Sequence, residues 1–220
     1  MKREVGSLSK KQVPSMVKDE QLVKKRRAQM VKGAVSLFKQ KGFHRTTTRE
    51  IAKESGFSIG TLYEYIGSKE DVLYLVCDSI YDEVRERLEA HLSTDYSGLD
   101  RLKQVVRSLM KVMDEMQDEV LVMYQEAKSL PKDSLSYVLK KEMEMTAIVE
   151  KAIDSCRGDG LVDLTDKEVE LLAHNIMIIA HAWTFRRWEL QKRFTLEEYT
   201  DMQIRFLLHG MEENATKGGF

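Results

Sequence analysis

The stretch Thr46 to Leu73, TTTREIAKESGFSIGTLYEYIGSKEDVL, constrains this chain more than any other. Thr47 followed three residues later by Glu50 spells a capping box, in which hydroxyl and carboxylate each accept from a free backbone N–H. Gly56 supplies the left-handed residue that ends the first helix. Ser58 then opens a second helix, with Ile59, Leu62 and Ile66 as its apolar positions, and Ser68 with Asp71 opens a third. Helices this short have no stability of their own. They must lean on neighbours and leave an outer face exposed. That spacing implies a helix-turn-helix, whose second helix enters the major groove of DNA.

Charge is segregated by sign along the chain. Residues 1–70 hold 16 Lys or Arg against 7 Asp or Glu, and residues 71–220 hold 19 against 29, within a formal net charge of −1. A basic head favours a polyphosphate partner, which an acidic body gains nothing by touching. Solvated helix faces would explain the abundance of charge but not its separation. The basic run Lys24 to Arg27 fits either a phosphate contact or a solvated helix start.

Only 2 Pro and 12 Gly in 220 residues, 42% of them hydrophobic, and no sustained period-2 alternation predict an all-α protein with a sizeable core. About nine helices are expected, three of them in a helix-turn-helix head. The long ones start at Gln21, Ser68, Leu99, Asp133, Thr165 and Thr195, the Thr165 helix running to about Lys192. The boundaries read as a basic flexible arm over 1–20, a DNA-binding domain over 21–67, and a ligand-binding and dimerisation domain over 68–220. Cys77 and Cys156 lie far apart without CxxC spacing, which suggests neither a disulfide framework nor a zinc finger. The amino terminus lacks an apolar signal segment, and the most apolar stretch, Ile176 to Ala182, is too short to span a bilayer. A cytoplasmic protein with no membrane association is the simplest expectation.

With these residues in place, the run GAVSLFKQKGFHRTTTREIAKESGFSIGTLYEYIGSKEDVLYLV resembles the amino-terminal domain of TetR-type transcriptional regulators. Its markers LFxxxGF, TTxREIA, SGFSxGTLYxY and SKEDVL occur in order between about Ala28 and Ile80. The resemblance implies a homodimeric repressor on a palindromic double-stranded operator, released by a small-molecule effector, with no cofactor required and no enzymatic activity. It carries DNA contact onto Arg45, Thr46, Thr47, Thr48, Arg49, Ser58, Ile59, Gly60, Thr61, Tyr63, Glu64, Tyr65 and Lys69. Each has a physical warrant. Gly60 permits close approach, Thr61 is short enough for a phosphate or a thymine methyl, and Tyr63 and Tyr65 present hydroxyls to phosphate. Lys69 adds an ammonium to the first turn of its helix. Two positions depart from the family pattern, Glu64 where His, Tyr or Arg is frequent and Ile66 where Phe is usual. No Lys or Arg falls within Ser58 to Ile66, so base reading there rests on hydroxyl and apolar groups.

The body says less. HNIMIIAHAWTFRRWEL sets His174, Ile178, His181 and Phe185 on one helix face, with Trp183 and Arg187 elsewhere around it. An Arg near Trp suits an effector with an apolar body and an anionic head, such as an acyl-CoA or an aromatic acid. Met113, Met116, Met123, Tyr124, Glu126 and Met143 join these as candidate pocket residues. His174, His181 and Glu126 also invite a metal reading. Histidines seven apart stand about 10 Å apart along a helix, which disfavours a zinc pair. The last two helices are expected to form the dimer interface through Ile176, Ile179, Ala180, Phe206 and Leu207. Two alternatives remain: a charge-driven, non-specific DNA-binding protein, and a helical-bundle enzyme, for which no nucleophile–base or Glu-x-x-His motif is found.

Overall fold

A computed structural model describes residues 11–91 and 96–217. Among these residues there are ten α-helices and no strand. They are α1 (Glu20–Arg45), α2 (Thr48–Glu54), α3 (Ile59–Tyr63), α4 (Lys69–His91) and α5 (Gly98–Glu115), then α6 (Gln117–Glu126), α7 (Lys132–Gly158), α8 (Asp166–Phe185), α9 (Arg187–Arg193) and α10 (Leu196–Lys217). The all-α class is as the sequence implied. The count rises to ten because the expected Thr165–Lys192 helix breaks at Arg186, which adopts φ −108° and ψ 23°. No Gly or Pro marks that break. It falls where the end of α8 is tied to α5, through Trp183 Nε1 donating to Asp114 (2.8 Å) and Thr184 Oγ1 donating to the Met113 carbonyl (3.2 Å).

The chain forms two compact units, one comprising residues up to Asp82 with Asp118–Glu142, the other Glu83–Gln117 with Met143 onward. In the first unit, α1 bends at Gly42, whose φ of 77° suits only glycine, and one further turn delivers Phe43 into the core. Phe43 meets Phe38 edge-on at 5.5 Å. Met30, Ala34, Ile51, Ala52, Leu62, Ile66, Leu73 and Tyr74 close this core, all at most 2% exposed. Deeper in α4, Lys141 forms ion pairs with Asp78 and Asp82, and the Tyr137 hydroxyl donates to Asp78 (3.2 Å). Burial alone would lower the Lys141 ammonium pKa, but the two carboxylates outweigh it and the net shift is upward. Beside them, burial pushes the Cys77 thiol up to about 12, so it is an inert packing residue.

Residues 11–17, expected as part of a mobile arm over 1–20, are held against the first unit. The Lys11 N–H donates to Tyr74 Oη (3.0 Å), the Met16 N–H donates to the Glu64 carbonyl (2.8 Å), and Val13 is buried. Satisfied backbone groups and a buried valine tie this segment to the unit. Residues 1–10 lie outside the described residues.

In the second unit, α5 buries Leu102, Val105, Val106, Leu109, Val112 and Met113, and packs against α8 and α10. From α8 come Val169, Ala173, Ile176, Met177, Ala180 and Trp183, and from α10 Tyr199 and Ile204. The Tyr199 hydroxyl donates to the Ile179 carbonyl (2.9 Å). This placement corrects two expectations. Ile176 and Ala180, proposed for a dimer interface, are fully buried inside their own protomer, because the i, i+4 stripe they share with Ala173 faces α5's side of α8. Among the described residues, the large apolar side chains that α8 and α10 leave exposed are Leu171, Ile178 and Phe206, with Ile179 and Leu207 half-buried.

The candidate pocket residues fall in both units, Met123, Tyr124 and Glu126 in the first and Met113, Met143, His174, Ile178, His181, Trp183, Phe185 and Arg187 in the second. Trp183 is buried with its indole N–H bonded to Asp114. An Arg–Trp contact on the surface is Arg186 over Trp188, 5.7 Å to the ring centroid. Met113, Met116 and Met123 are core filler, whereas Tyr124, Met143 and Ile178 are exposed. His174 is exposed too, and His181 stacks on Phe185 at 5.4 Å. Glu126 belongs to the first unit, where its Oε1 accepts from the Phe43 N–H (3.1 Å) beside the Gly42 bend. Among the described residues no group of three or more His, Cys, Asp or Glu is placed to hold a metal ion.

Candidate nucleic-acid interface

Everything that presents α3 follows from local chemistry. At the start of α2, Thr47 Oγ1 accepts from the Glu50 N–H (3.3 Å) while Glu50 Oε2 accepts from the Thr47 N–H (2.9 Å), the reciprocal box read from the sequence. The Lys41 ammonium (2.6 Å) and then the Thr47 backbone and side chain hold the Glu50 carboxyl down to about 2. Ser58 Oγ accepts from the Thr61 N–H (3.0 Å) to start α3. Leu62, fully buried, fastens α3 to the core. With one anchor turned in, the opposite face turns out: Ser58, Ile59, Gly60, Tyr63 and Glu64 are exposed and Thr61 is half-buried. Ile59, which the apolar spacing also allowed as a core position, is 37% exposed and lies on that outer face.

Hydroxyls dominate this surface. Thr48 Oγ1 and Tyr63 Oη lie 3.2 Å apart, joining the first turn of α2 to the end of α3, and Thr61 Oγ1 lies 3.0 Å from Ser58 Oγ. Arg45 and Arg49 are exposed beside them, with Arg45 Nε donating to the Lys41 carbonyl (2.8 Å). An added Cβ at Gly60 would meet only Ser58 Oγ, at 3.7 Å, so nothing inside the protein demands glycine there. A hydroxyl-rich, cation-flanked convex face can donate to phosphate and touch base edges at once.

Three expected contacts are placed elsewhere. Thr46 is 1% exposed, and its hydroxyl donates to the Gly42 carbonyl (2.8 Å), capping the bend in α1. Tyr65 is 4% exposed and belongs to the core. The Lys69 ammonium donates to the Phe43 and Thr46 carbonyls (3.1 Å each) and sits 4.1 Å from the Phe43 ring centroid. It neutralises the carbonyl end of α1, where a helix dipole is negative, rather than waiting for a phosphate. Sequence reasoning also missed Arg27, which is turned toward the end of α3. Its Nε and Nη2 both donate to the Tyr65 carbonyl (3.1 and 3.0 Å). Nothing in the run KKRR distinguished the half-buried Arg26 and Arg27 from the exposed Lys24 and Lys25.

Comparison with known proteins fits this geometry. Residues 30–74 match the family model for bacterial regulatory proteins of the tetR family, and residues 95–211 match the tetracyclin repressor-like C-terminal domain. The chain belongs to the TetR family. It is therefore a DNA-binding transcriptional regulator and not an enzyme. The HTH-type transcriptional regulator HbdR of Aromatoleum sp. (strain CIB) is 30% identical over 200 residues, covering 91% of this chain and 86% of that one. Among solved structures, a TetR-family regulatory protein from Rhodococcus RHA1 superposes with a TM-score of 0.74 at 21% identity, covering 85% of this chain and 97% of the other. AibR, solved with isovaleryl coenzyme A and operator DNA, superposes at 0.70 with 18% identity, covering 83% and 98%. These two likenesses establish the fold. TetR regulators respond to small-molecule effectors rather than cofactors. Among the described residues no helix is long and apolar enough to cross a membrane.

Proposed function

We propose that this TetR-family chain is a cytoplasmic homodimeric repressor that occupies a palindromic operator and leaves it when a small amphipathic anion binds the body. The observation that carries the DNA half is the α2–α3 face, where Thr47, Thr48, Ser58, Ile59, Gly60, Thr61, Tyr63 and Glu64 surround an exposed helix fixed from behind by Leu62. Arg45 and Arg49 add the phosphate-directed charge. The homodimer is supported by Leu171, Ile178 and Phe206, each about 60% exposed on α8 and α10 (61%, 62% and 59%). Large apolar side chains left out on two helices of one unit suit a second copy of the same surface. Two heads then stand one helical turn of DNA apart, about 34–36 Å.

For the effector, an acyl thioester of coenzyme A is the reading to test, supported by the likeness in fold to AibR, which was solved with isovaleryl coenzyme A. Such a ligand releases DNA only through a difference in affinity between the two spacings of the heads. The test is fluorescence anisotropy on DNA upstream of the chain's own gene and on scrambled DNA, with and without a short-chain acyl-CoA. Specific binding reversed by the thioester supports the whole reading. Specific binding that persists removes the ligand from it, and equal binding to scrambled DNA favours a charge-driven binder. In parallel, Ile178→Asp with Phe206→Asp should halve the mass by light scattering. A parent protein that is already monomeric would remove the dimer.

A further inference from the structure

α3 is five residues long, and its last turn is closed by the Glu64 and Tyr65 N–H groups donating to the Thr61 and Leu62 carbonyls (3.2 and 3.1 Å). The Glu64 and Tyr65 carbonyls, just beyond it, are met by a strap formed from residues 11–17 and by one arginine. The Glu64 carbonyl accepts from the Met16 N–H (2.8 Å) and from Ser15 Oγ (3.2 Å). The Tyr65 carbonyl accepts from Arg27 Nε and Nη2, and the same Nη2 donates to the Val13 and Pro14 carbonyls (2.7 and 3.2 Å). At its other end the strap is pinned to α4, with Lys11 Nζ on Asp71 Oδ1 (2.6 Å) and the Lys11 N–H on Tyr74 Oη. Asp71 Oδ2 meanwhile accepts from the Gly67 and Ser68 N–H groups (3.0 Å each). Pro14 lies against Gly67, where an added Cβ would stand 3.1 Å from Pro14 Cγ. A guanidinium can bridge three carbonyls because its donors form a fixed fork, which an ammonium does not reproduce.

We propose that Arg27 is a positioning residue for DNA recognition. It clamps the end of α3 to the strap, so that the reading face is held in its binding geometry before DNA arrives. The proposal rests on the reading of α2–α3 as the DNA surface, and it assigns to one cation of the KKRR run a role other than phosphate contact. Holding a short helix in register lowers the ordering cost of specific binding and contributes little to binding by charge alone.

The test uses full-length parent protein, Arg27→Lys, Arg27→Ala and Met16→Pro. The last removes the N–H that meets Glu64 and also fixes φ at residue 16 and restricts Ser15, on a residue whose side chain is 81% exposed. The DNA probes are the site that parent protein selects from a random-sequence library and its scrambled counterpart, titrated across salt. All three variants are expected to lower the ratio of specific to scrambled affinity by about 10-fold or more, roughly the loss of one or two hydrogen bonds. Scrambled affinity and the slope of log K against log salt should stay at parent values. Equal loss on both DNAs, with a slope shallower by about 0.9, would make Arg27 a phosphate contact and overturn the clamp. Rescue by Arg27→Lys would do the same. Hydrogen exchange of the Leu62, Glu64 and Tyr65 amides in DNA-free protein decides the clamp independently of the DNA-site reading. Faster exchange confined to these amides in Arg27→Ala and Met16→Pro is expected. Unchanged protection overturns the clamp even where DNA binding is lost, and a parent protein that cannot discriminate DNA counts against the reading face instead.

Discussion

Leu62→Ala probes the arrangement at its narrowest point. Leu62 is fully buried, and it is the one side chain of α3 itself, Ile59 to Tyr63, that reaches the core. Truncating a buried leucine removes its transfer free energy and leaves a cavity, together about 2–5 kcal/mol. The higher part of that range applies only where neighbours cannot close in, and Leu62 belongs to a core in which Ile51, Ile66 and Leu73 are all at most 2% exposed. Taking about 3 kcal/mol, and about 2–4 °C per kcal/mol for a chain of 220 residues, the melting midpoint should fall by about 6–12 °C. Differential scanning calorimetry measures it directly. Ile59→Ala is the control: Ile59 is on the same five-residue helix but 37% exposed, so its loss should stay within about 1 kcal/mol while operator preference changes. A Leu62→Ala midpoint within about 2 °C of parent would refute the claim that α3 is held through this residue.

The remaining expectations concern separate contacts. Lys69→Met keeps the stem and deletes two bonds to the Phe43 and Thr46 carbonyls; we expect about 1–3 kcal/mol less stability in denaturant melts and an unchanged salt slope for DNA binding. A slope shallower by about 0.9 would restore Lys69 to phosphate. Because Lys41 and Thr47 depress the Glu50 carboxyl to about 2, the stabilisation they share is complete above the ordinary carboxylate range near 4.5 and disappears as pH falls toward about 2. Acid unfolding of Glu50→Gln should therefore be flatter across that window than parent, and parallel curves would show that the capping box does not couple to folding. Trp183→Phe deletes the donor to Asp114 and should lower stability by about 1–3 kcal/mol, and it should also loosen the α8 break at Arg186, seen as faster amide exchange at Arg186 and Glu189. Gly60→Ala should fold at least as stably as parent, since the added methyl meets nothing closer than 3.7 Å, yet bind operator more weakly; undiminished binding would place DNA away from this edge of α3.

What was legible in the sequence is whatever local chemistry decides alone. The boxes at Thr47, Ser68, Thr165 and Thr195 each sit where a helix starts, since a hydroxyl or carboxylate three residues from a free N–H can hardly do otherwise. The turn at Gly56 was legible for the same reason, and Gly56 takes a positive φ of 75°. What was not legible depends on partners distant in sequence. Thr46 looks like an exposed hydroxyl until the Gly42 carbonyl is seen beneath it, and Lys69 looks like a phosphate ligand until Phe43 lies 26 residues back in the chain and in contact with it. Ile176 and Phe206 are equally apolar on paper, and only the packing against α5 decides which is interior and which is left exposed. The break at Arg186 has no local mark at all.

The way the head spends its positive charge bears on how it discriminates DNA. Several cations that composition would assign to phosphate are committed to the protein itself: Lys11 to Asp71, Lys39 to Asp118 and Glu119, Lys41 to Glu50, Lys69 to two carbonyls, and Arg27 to the strap. The α3 segment from Ser58 to Ile66 carries none. On the proposed reading of the α2–α3 face, salt-dependent affinity comes from flanking residues such as Arg45 and Arg49, and discrimination from Ile59, Thr61, Tyr63 and Glu64, which release no counterions. The two quantities should separate cleanly under mutation. Arg49→Ala should flatten the salt dependence by about 0.9 and weaken all DNA alike, while Thr61→Val should leave the slope untouched and reorder preference among single-base variants of the selected site. A single substitution on α3 that changed both together would mean that its side chain spans phosphate and base, and the division of labour drawn from the structure would fail.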